Sequence, residues 1–142
     1  QGELVSPEQE RAEAPGRSAK LNIMVVEDEV GVRAFVVDAL QDLGHAVIEA
    51  PGGAEALSLL PAHQNLDLLV TDVIMPGLNG RQLADKIREQ RPNLPVLYMT
   101  GYTRNAIVHN GVLDPGAHLL TKPFTLAQLD TEIRAVTARE TR

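Results

Sequence analysis

Five polar side chains follow short apolar runs of the sequence and could carry chemistry: Glu27, Asp28, Asp72, Thr100 and Lys122. Carboxylates follow the first and third runs, a hydroxyl follows the fourth, and a lysine follows the fifth. Each residue alone has an ordinary structural explanation, such as a helix cap, a turn or a solvated surface lysine. Separate explanations do not account for acids at two run ends and a lysine at another. We therefore interpret the five residues as one site.

The three carboxylates of this set, Glu27, Asp28 and Asp72, indicate a cation site. Carboxylates held close together repel one another unless a cation lies among them. Oxygen ligands favour a hard divalent ion that keeps several of its waters, and the sequence contains no cysteine that would favour a softer one. We therefore predict Mg²⁺ as the cofactor, with Mn²⁺ able to substitute.

The same residues could receive a phosphoryl group. A carboxylate such as Asp72 is a competent nucleophile toward phosphorus when the charge on the equatorial phosphoryl oxygens is neutralised. A bound cation, the ammonium group of Lys122 and the hydroxyl group of Thr100 together supply that neutralisation. The set therefore predicts phosphoryl transfer to Asp72.

Five strand–helix units must bring these side chains together. The apolar runs lie at residues 21–26, 46–49, 68–71, 96–99 and 117–120. Their continuous apolar character is typical of parallel strands that are covered on both faces. Because ligands of such sheets bind outside the carboxyl ends of the strands, an α/β fold with a five-stranded parallel sheet would collect the five residues at one edge.

Helical periodicity separates the apolar runs and continues after the last one. The predicted helices cover about residues 32–43, 53–60, 83–87, 103–110 and 125–136. The last begins with a capping-box pattern, in which Thr125 accepts from a first-turn amide and Gln128 reaches back. Residues 1–20 are charged and contain proline and glycine, so we predict a flexible linker or tail there, and residues 140–142 form a C-terminal tail.

Length and composition exclude several classes of protein. The 142 residues suffice for about one domain. A net charge of −6 disfavours nucleic acid and anionic membranes as partners, and no apolar run approaches the roughly 20 residues of a membrane span. The lack of cysteine agrees with a reducing compartment. We expect a cytoplasmic protein that is a monomer or weak dimer, with no nucleic-acid partner and no membrane contact by this segment.

The sequence resembles the response-regulator receiver domain in four segments that follow in the family's order and spacing. These are VVEDE at 25–29, TDVIMPGLNG at 71–80, MTGY at 99–102 and TKPF at 121–124. The resemblance covers about residues 20–138 and assigns 21–139 to the receiver domain. It implies a flavodoxin-like, three-layer α/β/α fold with strand order 2-1-3-4-5 and five helices.

By this resemblance Asp72 is the phospho-acceptor. Mg²⁺ would be bound by Asp28, Asp72 and the backbone carbonyl of Ile74, while Glu27 contacts the ion through water. The family commonly has two aspartates where this chain has Glu27 and Asp28. The longer glutamate lengthens one water-mediated arm, and we expect metal binding to survive.

The resemblance also implies how phosphorylation is sensed. Thr100 would be the switch hydroxyl that moves toward the phosphate, Lys122 would pair with the phosphate, and the peptide bond between Lys122 and Pro123 would be cis. Many family members carry a switch tyrosine or phenylalanine where this chain has Leu119. We expect that the aromatic part of the switch does not operate here.

We therefore predict a phospho-accepting receiver that assists its own phosphorylation and is not a turnover enzyme. Its partner would be a histidine kinase or a histidine phosphotransfer domain. The second half of the chain resembles receivers at the C-terminus of hybrid sensor histidine kinases, and the charged segment 1–20 would be the tether. A stand-alone single-domain regulator remains an alternative. An aspartate-nucleophile phosphohydrolase is a further one, although such enzymes carry a second aspartate where this chain has Ile74.

Overall fold

A five-stranded parallel sheet lies at the centre of the fold. The computed structural model describes residues 20–101, 113 and 116–138. The strands are β1 (Asn22–Val26), β2 (Ala46–Ala50), β3 (Leu68–Asp72), β4 (Val96–Thr100) and β5 (His118–Thr121). They pair in the order β2-β1-β3-β4-β5, all in parallel. The predicted sheet and its strand order are confirmed.

Four α-helices lie within the described part of the chain: α1 (Val30–Asp42), α2 (Gly53–Leu59), α3 (Gly80–Gln90) and α4 (Leu126–Ala138). A 3-10 turn (Leu60–Ala62) follows α2. The helix predicted over residues 103–110 lies outside the described residues, as do almost all of the predicted N-terminal segment and the predicted C-terminal tail. None of the described helices is long and apolar enough to cross a membrane.

Capping boxes begin two of these helices. The predicted box of α4 is present, since the Gln128 amide donates to Thr125 Oγ1 at 3.0 Å and the Thr125 amide donates to Gln128 Oε1 at 2.8 Å. A second box, which we did not predict, begins α3 between Asn79 and Gln82. It satisfies two amides at the helix start, and α3 therefore begins at Gly80, ahead of its first apolar residue.

The sheet is covered on both faces, which explains its continuous apolar runs. Alternate strand residues such as Met24, Val26 and Leu69 form one core with α2 and α3. Their neighbours, such as Ile23 and Val25, form a second core with α1 and α4. All five are fully buried. The fold is the three-layer, flavodoxin-like arrangement that the resemblance implied.

Strand register aligns the carboxyl ends of the strands at one edge. Val26 pairs with Thr71, so the residue after β1 lies beside Asp72, the last residue of β3. Asp72 pairs with Met99, and the next residue of β4, Thr100, pairs with Thr121 at the end of β5. The four strand ends that carry candidate residues therefore share this edge.

The start of α3 approaches the end of β3 closely at Gly80. The Gly80 amide donates to the Val73 carbonyl at 2.8 Å. A Cβ atom on Gly80 would overlap the carbonyl oxygen of Asp72 and lie 3.1 Å from the Val73 Cα atom. Both neighbours are backbone atoms that cannot rotate away. Glycine is therefore required here because a side chain would not fit between α3 and β3, and not because of its backbone dihedral angles.

We predict that Gly80→Ala lowers the free energy of unfolding by about 1–3 kcal/mol, because α3 must move away from β3. Gly31→Ala in α1 is the matched control, since a Cβ atom there meets no atom within 4 Å. The control should be more stable than the wild type by about 0.5–1 kcal/mol. Urea denaturation followed by circular dichroism measures both, and equal stability of the two variants would contradict the packing argument.

Candidate functional site

Three carboxylates meet at the carboxyl edge of the sheet. Glu27 and Asp28 directly follow β1, and Asp72 ends the neighbouring strand β3. One carboxylate oxygen from each lies within 4.8 Å of the others. Glu27 and Asp72 are buried, and Asp28 is exposed. The cluster is therefore open to solvent on the Asp28 side and closed behind it.

Lys122 reaches this cluster from the loop after β5. Its Nζ atom lies 3.1 Å from Glu27 Oε1 and 3.2 Å from Asp72 Oδ1. Its backbone amide donates to the Thr100 carbonyl at 2.7 Å, which joins the ends of β4 and β5. The Lys122–Pro123 peptide bond is cis, as the resemblance implied. One ammonium group thus bridges two carboxylates that belong to different strands.

The remaining predicted site residues, Thr100 and Ile74, and Leu119 at the switch position are not equally buried. Thr100 is buried at the end of β4, one position beyond the partner of Asp72. Ile74 lies in the loop after β3, and its side chain is half exposed. Leu119, which replaces the family's common switch aromatic, is buried in the core that α2 and α3 cover.

The charges at this edge alter the ionisation of Asp72. Burial raises the pKa of Asp72 to about 6, the negative charge of Glu27 adds to the rise, and Lys122 opposes it. Burial alone would lower the pKa of Lys122, but the carboxylates of Asp72 and Glu27 outweigh it and the pKa rises. The lysine therefore stays protonated, and one ammonium group does not compensate all three acids.

The donor set fits a hard divalent cation. All three side chains offer oxygen, the ligand atom that Mg²⁺ and Mn²⁺ prefer. Both oxygens of Glu27 already have partners, because Oε1 contacts Lys122 and Oε2 accepts from the Glu29 amide at 3.1 Å. Glu27, with a partner on each carboxylate oxygen, is therefore less available as a direct ligand than Asp28 and Asp72, whose contact with Lys122 is made through Oδ1.

Sequence reasoning missed one residue beside this cluster, Arg33 of α1. Its Nη1 atom donates to the backbone carbonyl of Glu27 at 2.8 Å, and its Nε atom contacts Glu49 Oε1 at 3.1 Å. A weak signal was available, since a cation close to a helix N-terminus opposes the helix dipole and needs a local partner. The two partners of Arg33, Glu27 and Glu49, come close to each other only because β1 pairs with β2, and the periodicity of α1 does not reveal that pairing.

The chain belongs to the response regulator receiver domain family, whose model matches residues 23–134. Sensor kinase CckA of Brucella abortus is 32% identical over 138 residues, which cover 96% of this chain and 15% of that protein. Response regulator receiver protein CpdR of the same organism is 34% identical over 111 residues, which cover 78% of this chain and 92% of CpdR.

Solved structures agree with this membership. The crystal structure of the receiver domain from the hybrid histidine kinase CckA matches with a TM-score of 0.68 and 32% identity, covering 82% of this chain and 98% of that domain. The chain is thus a receiver domain of two-component signalling. It spans a small part of the sensor kinase relative and nearly the whole of CpdR.

We predict that Asp72→Asn stabilises the protein above pH 7 when divalent cations are absent. The folded-state pKa of Asp72, about 6, lies above the ordinary aspartate value of 3.8. The stability that protonated Asp72 contributes is therefore present below about pH 4 and lost as the pH rises through 6. Asparagine mimics the neutral acid, so the gain should reach about 1–2 kcal/mol at pH 8, where solvent screens part of the charge strain, and vanish at pH 4.

Urea denaturation in EDTA at both pH values measures the difference between this variant and the wild type. Asp38→Asn, an exposed position of α1, is the control and should change stability little at either pH. An Asp72→Asn variant that is no more stable than the wild type at pH 8 would contradict the predicted charge strain.

Proposed function

We propose that Asp72 accepts a phosphoryl group from a phosphohistidine of a partner protein. In this transfer the P–N bond of the donor breaks, a P–O bond to the Asp72 carboxylate forms, and the imidazole of the donor leaves. The observation that carries the proposal is the contact of Lys122 with Asp72 at 3.2 Å inside a cluster of carboxylates. The contact supports the proposal because a positive charge within 3.2 Å of the acceptor carboxylate would neutralise the phosphoryl oxygens of an aspartyl phosphate.

Each side chain has a separate task in this proposal. Asp72 is the nucleophile, and Lys122 compensates the negative charge that the phosphoryl group adds. Thr100, at the neighbouring strand end, supplies the switch hydroxyl. Asp28, Asp72 and the carbonyl of Ile74 would hold Mg²⁺, with Glu27 acting through water. When bound, the cation neutralises charge on the transferred group and relieves the repulsion among the acids.

The proposed aspartyl phosphate is a signal rather than a short-lived intermediate. Haloacid-dehalogenase-type hydrolases carry an acid/base aspartate two residues after the nucleophile, and this chain has a half-exposed isoleucine, Ile74, at that position. No described group therefore stands ready there to activate water. Family membership likewise supports the receiver over a phosphohydrolase.

We further propose that the domain, residues 21–139, belongs to a hybrid sensor histidine kinase. The match to CckA covers 96% of the chain and so extends into the predicted linker, while the match to CpdR covers 78%. CpdR itself keeps the stand-alone regulator as the second candidate, since the chain covers 92% of that protein. The same proposal includes a cytoplasmic location and a monomer or weak dimer. It also includes a fifth helix over residues 103–110.

Two exposed apolar residues that are close in sequence to the acids support a protein as the phosphoryl donor. Val30 is 71% exposed and lies three residues beyond Glu27, and Ile74 is 50% exposed and lies two residues beyond Asp72. A small phosphodonor would leave these two side chains in water, whereas a protein surface that delivers a phosphohistidine would cover them. The partner in this proposal is a histidine kinase or a histidine phosphotransfer domain.

We predict that Asp72→Asn abolishes Mg²⁺-dependent phosphorylation by acetyl phosphate, because the amide is not a nucleophile toward phosphorus. Intact-protein mass spectrometry measures the added phosphoryl group. Asp38→Asn, remote from the cluster on the exposed side of α1, is the matched control and should be phosphorylated like the wild type. Undiminished phosphorylation of the Asp72→Asn protein would refute the proposed acceptor.

We predict that Lys122→Ala slows phosphorylation by about 100-fold at saturating Mg²⁺, since one preorganised charge is lost from the phosphoryl site. Magnesium binding should persist because the ammonium group is not a ligand. Lys86→Ala in α3 is the control, as Lys86 is exposed. A Lys122→Ala protein with the wild-type rate would contradict the role given to the lysine, as would one that no longer binds Mg²⁺.

A further inference from the structure

Arg33, a half-buried residue, makes a two-point contact beside the acidic cluster. It is the fourth residue of α1, and only 16% of its side chain is exposed. One guanidinium nitrogen, Nη1, donates to the Glu27 carbonyl at 2.8 Å, while Nε donates to Glu49 Oε1 at 3.1 Å. The guanidinium group therefore ties the end of β1 to the fourth position of β2 and to α1.

The contact of Arg33 with the Glu27 carbonyl controls the position of the main chain at Asp28. That carbonyl belongs to the planar peptide unit that joins Glu27 to Asp28. The Asp28 Cα atom lies in the same plane, so a hydrogen bond that holds the oxygen also fixes the position of this atom. On its other side, the Glu27 amide donates to the Ala50 carbonyl at 3.2 Å. The main chain of Glu27 is thus held on both sides, by β2 and by Arg33.

Asp28 depends on this backbone support because its side chain has no other. The carboxylate is exposed, and within the described ranges neither a hydrogen bond nor an ion pair holds it. Glu27 differs, since Lys122 and the Glu29 amide hold its carboxylate directly. Of the three acids, Asp28 is therefore the one whose position is set through the main chain alone.

Glu49 serves to orient the arginine. Its side chain is 55% exposed, and a salt bridge at such an exposed position contributes little free energy by itself. An arginine fork can serve two acceptors at fixed angles, which a lysine ammonium on its flexible stem does less well. The ion pair therefore selects the rotamer from which Nη1 reaches the Glu27 carbonyl.

We propose that Arg33 is a positioning residue for the cation site, which sets the orientation of Asp28 and thereby the affinity for Mg²⁺. The inference rests on the proposed function, because it assumes that the acidic cluster binds Mg²⁺. The guanidinium group contacts the Glu27 carbonyl and Glu49, so Arg33 would act through the Glu27–Asp28 peptide rather than as a ligand.

The test is the dissociation constant of Mg²⁺ for the unphosphorylated protein, measured by isothermal titration calorimetry, with the melting temperature recorded for each variant. Arg33→Met keeps the length of the apolar stem and removes the donors, and it should weaken binding about tenfold. Arg33→Lys restores one donor and should recover part of the loss. Glu49→Gln keeps an oxygen acceptor and should stay within about threefold of the wild type.

Arg91→Met is the matched control for loss of stability. Arg91 also donates to two backbone carbonyls, those of Leu60 at 2.8 Å and His63 at 2.9 Å, but it lies at the end of α3, far along the chain from the acidic residues. This variant should lower the melting temperature and leave the Mg²⁺ dissociation constant unchanged. A merely structural role of Arg33 would make the two methionine variants alike in both measurements.

The outcomes separate this inference from the proposed function. Magnesium binding by the wild type with an unchanged dissociation constant in Arg33→Met would overturn the role of Arg33 and leave the proposed function intact. Equal weakening by Arg33→Met and Arg91→Met would overturn it as well. A wild type that binds no Mg²⁺ would overturn both proposals. If Arg33→Met does not fold, Arg33→Lys decides, and an unchanged dissociation constant in that variant overturns the inference.

Discussion

The repulsion among three carboxylates at one sheet edge is the constraint on which the site depends. Parallel pairing of β1 with β3 places Glu27 beside Asp72, and Lys122 crosses from the end of β5 to contact both. Burial and the neighbouring charge of Glu27 raise the pKa of Asp72 to about 6, and the single ammonium group of Lys122 only partly opposes that rise. The fold therefore holds a concentration of negative charge that would not persist in a flexible chain.

This unfavourable charge gives the site its proposed chemistry. A divalent cation held by these acids would relieve the repulsion, and Asp72, beside the ammonium group of Lys122, would then be prepared for the extra charge of a phosphoryl group. The surrounding packing serves to keep these groups from moving apart. Gly80 lets α3 begin against the backbone of Asp72, and the Lys122 amide fastens its loop to the end of β4.

Much of this arrangement could be predicted from the sequence because it follows from local patterns. Continuous apolar runs predicted strands covered on both faces, and the polar residues that end those runs predicted which side chains would meet. The capping box of α3 also follows from a local pattern, since Gln82 stands three residues after Asn79. The contact of Arg33 with Glu27 and the close approach at Gly80 were not readable, since both depend on how separate elements pack together. The helix predicted over residues 103–110 stays a prediction.

The central claim is that Asp72 carries the phosphoryl group in a cation-dependent reaction. Borohydride reduces an aspartyl phosphate to homoserine, and peptide mass spectrometry then locates the modified residue. After treatment with acetyl phosphate and Mg²⁺, homoserine should appear at Asp72 and nowhere else, and EDTA should prevent it. Modification at another acid, or modification of Asp72 that is indifferent to EDTA, would contradict the claim.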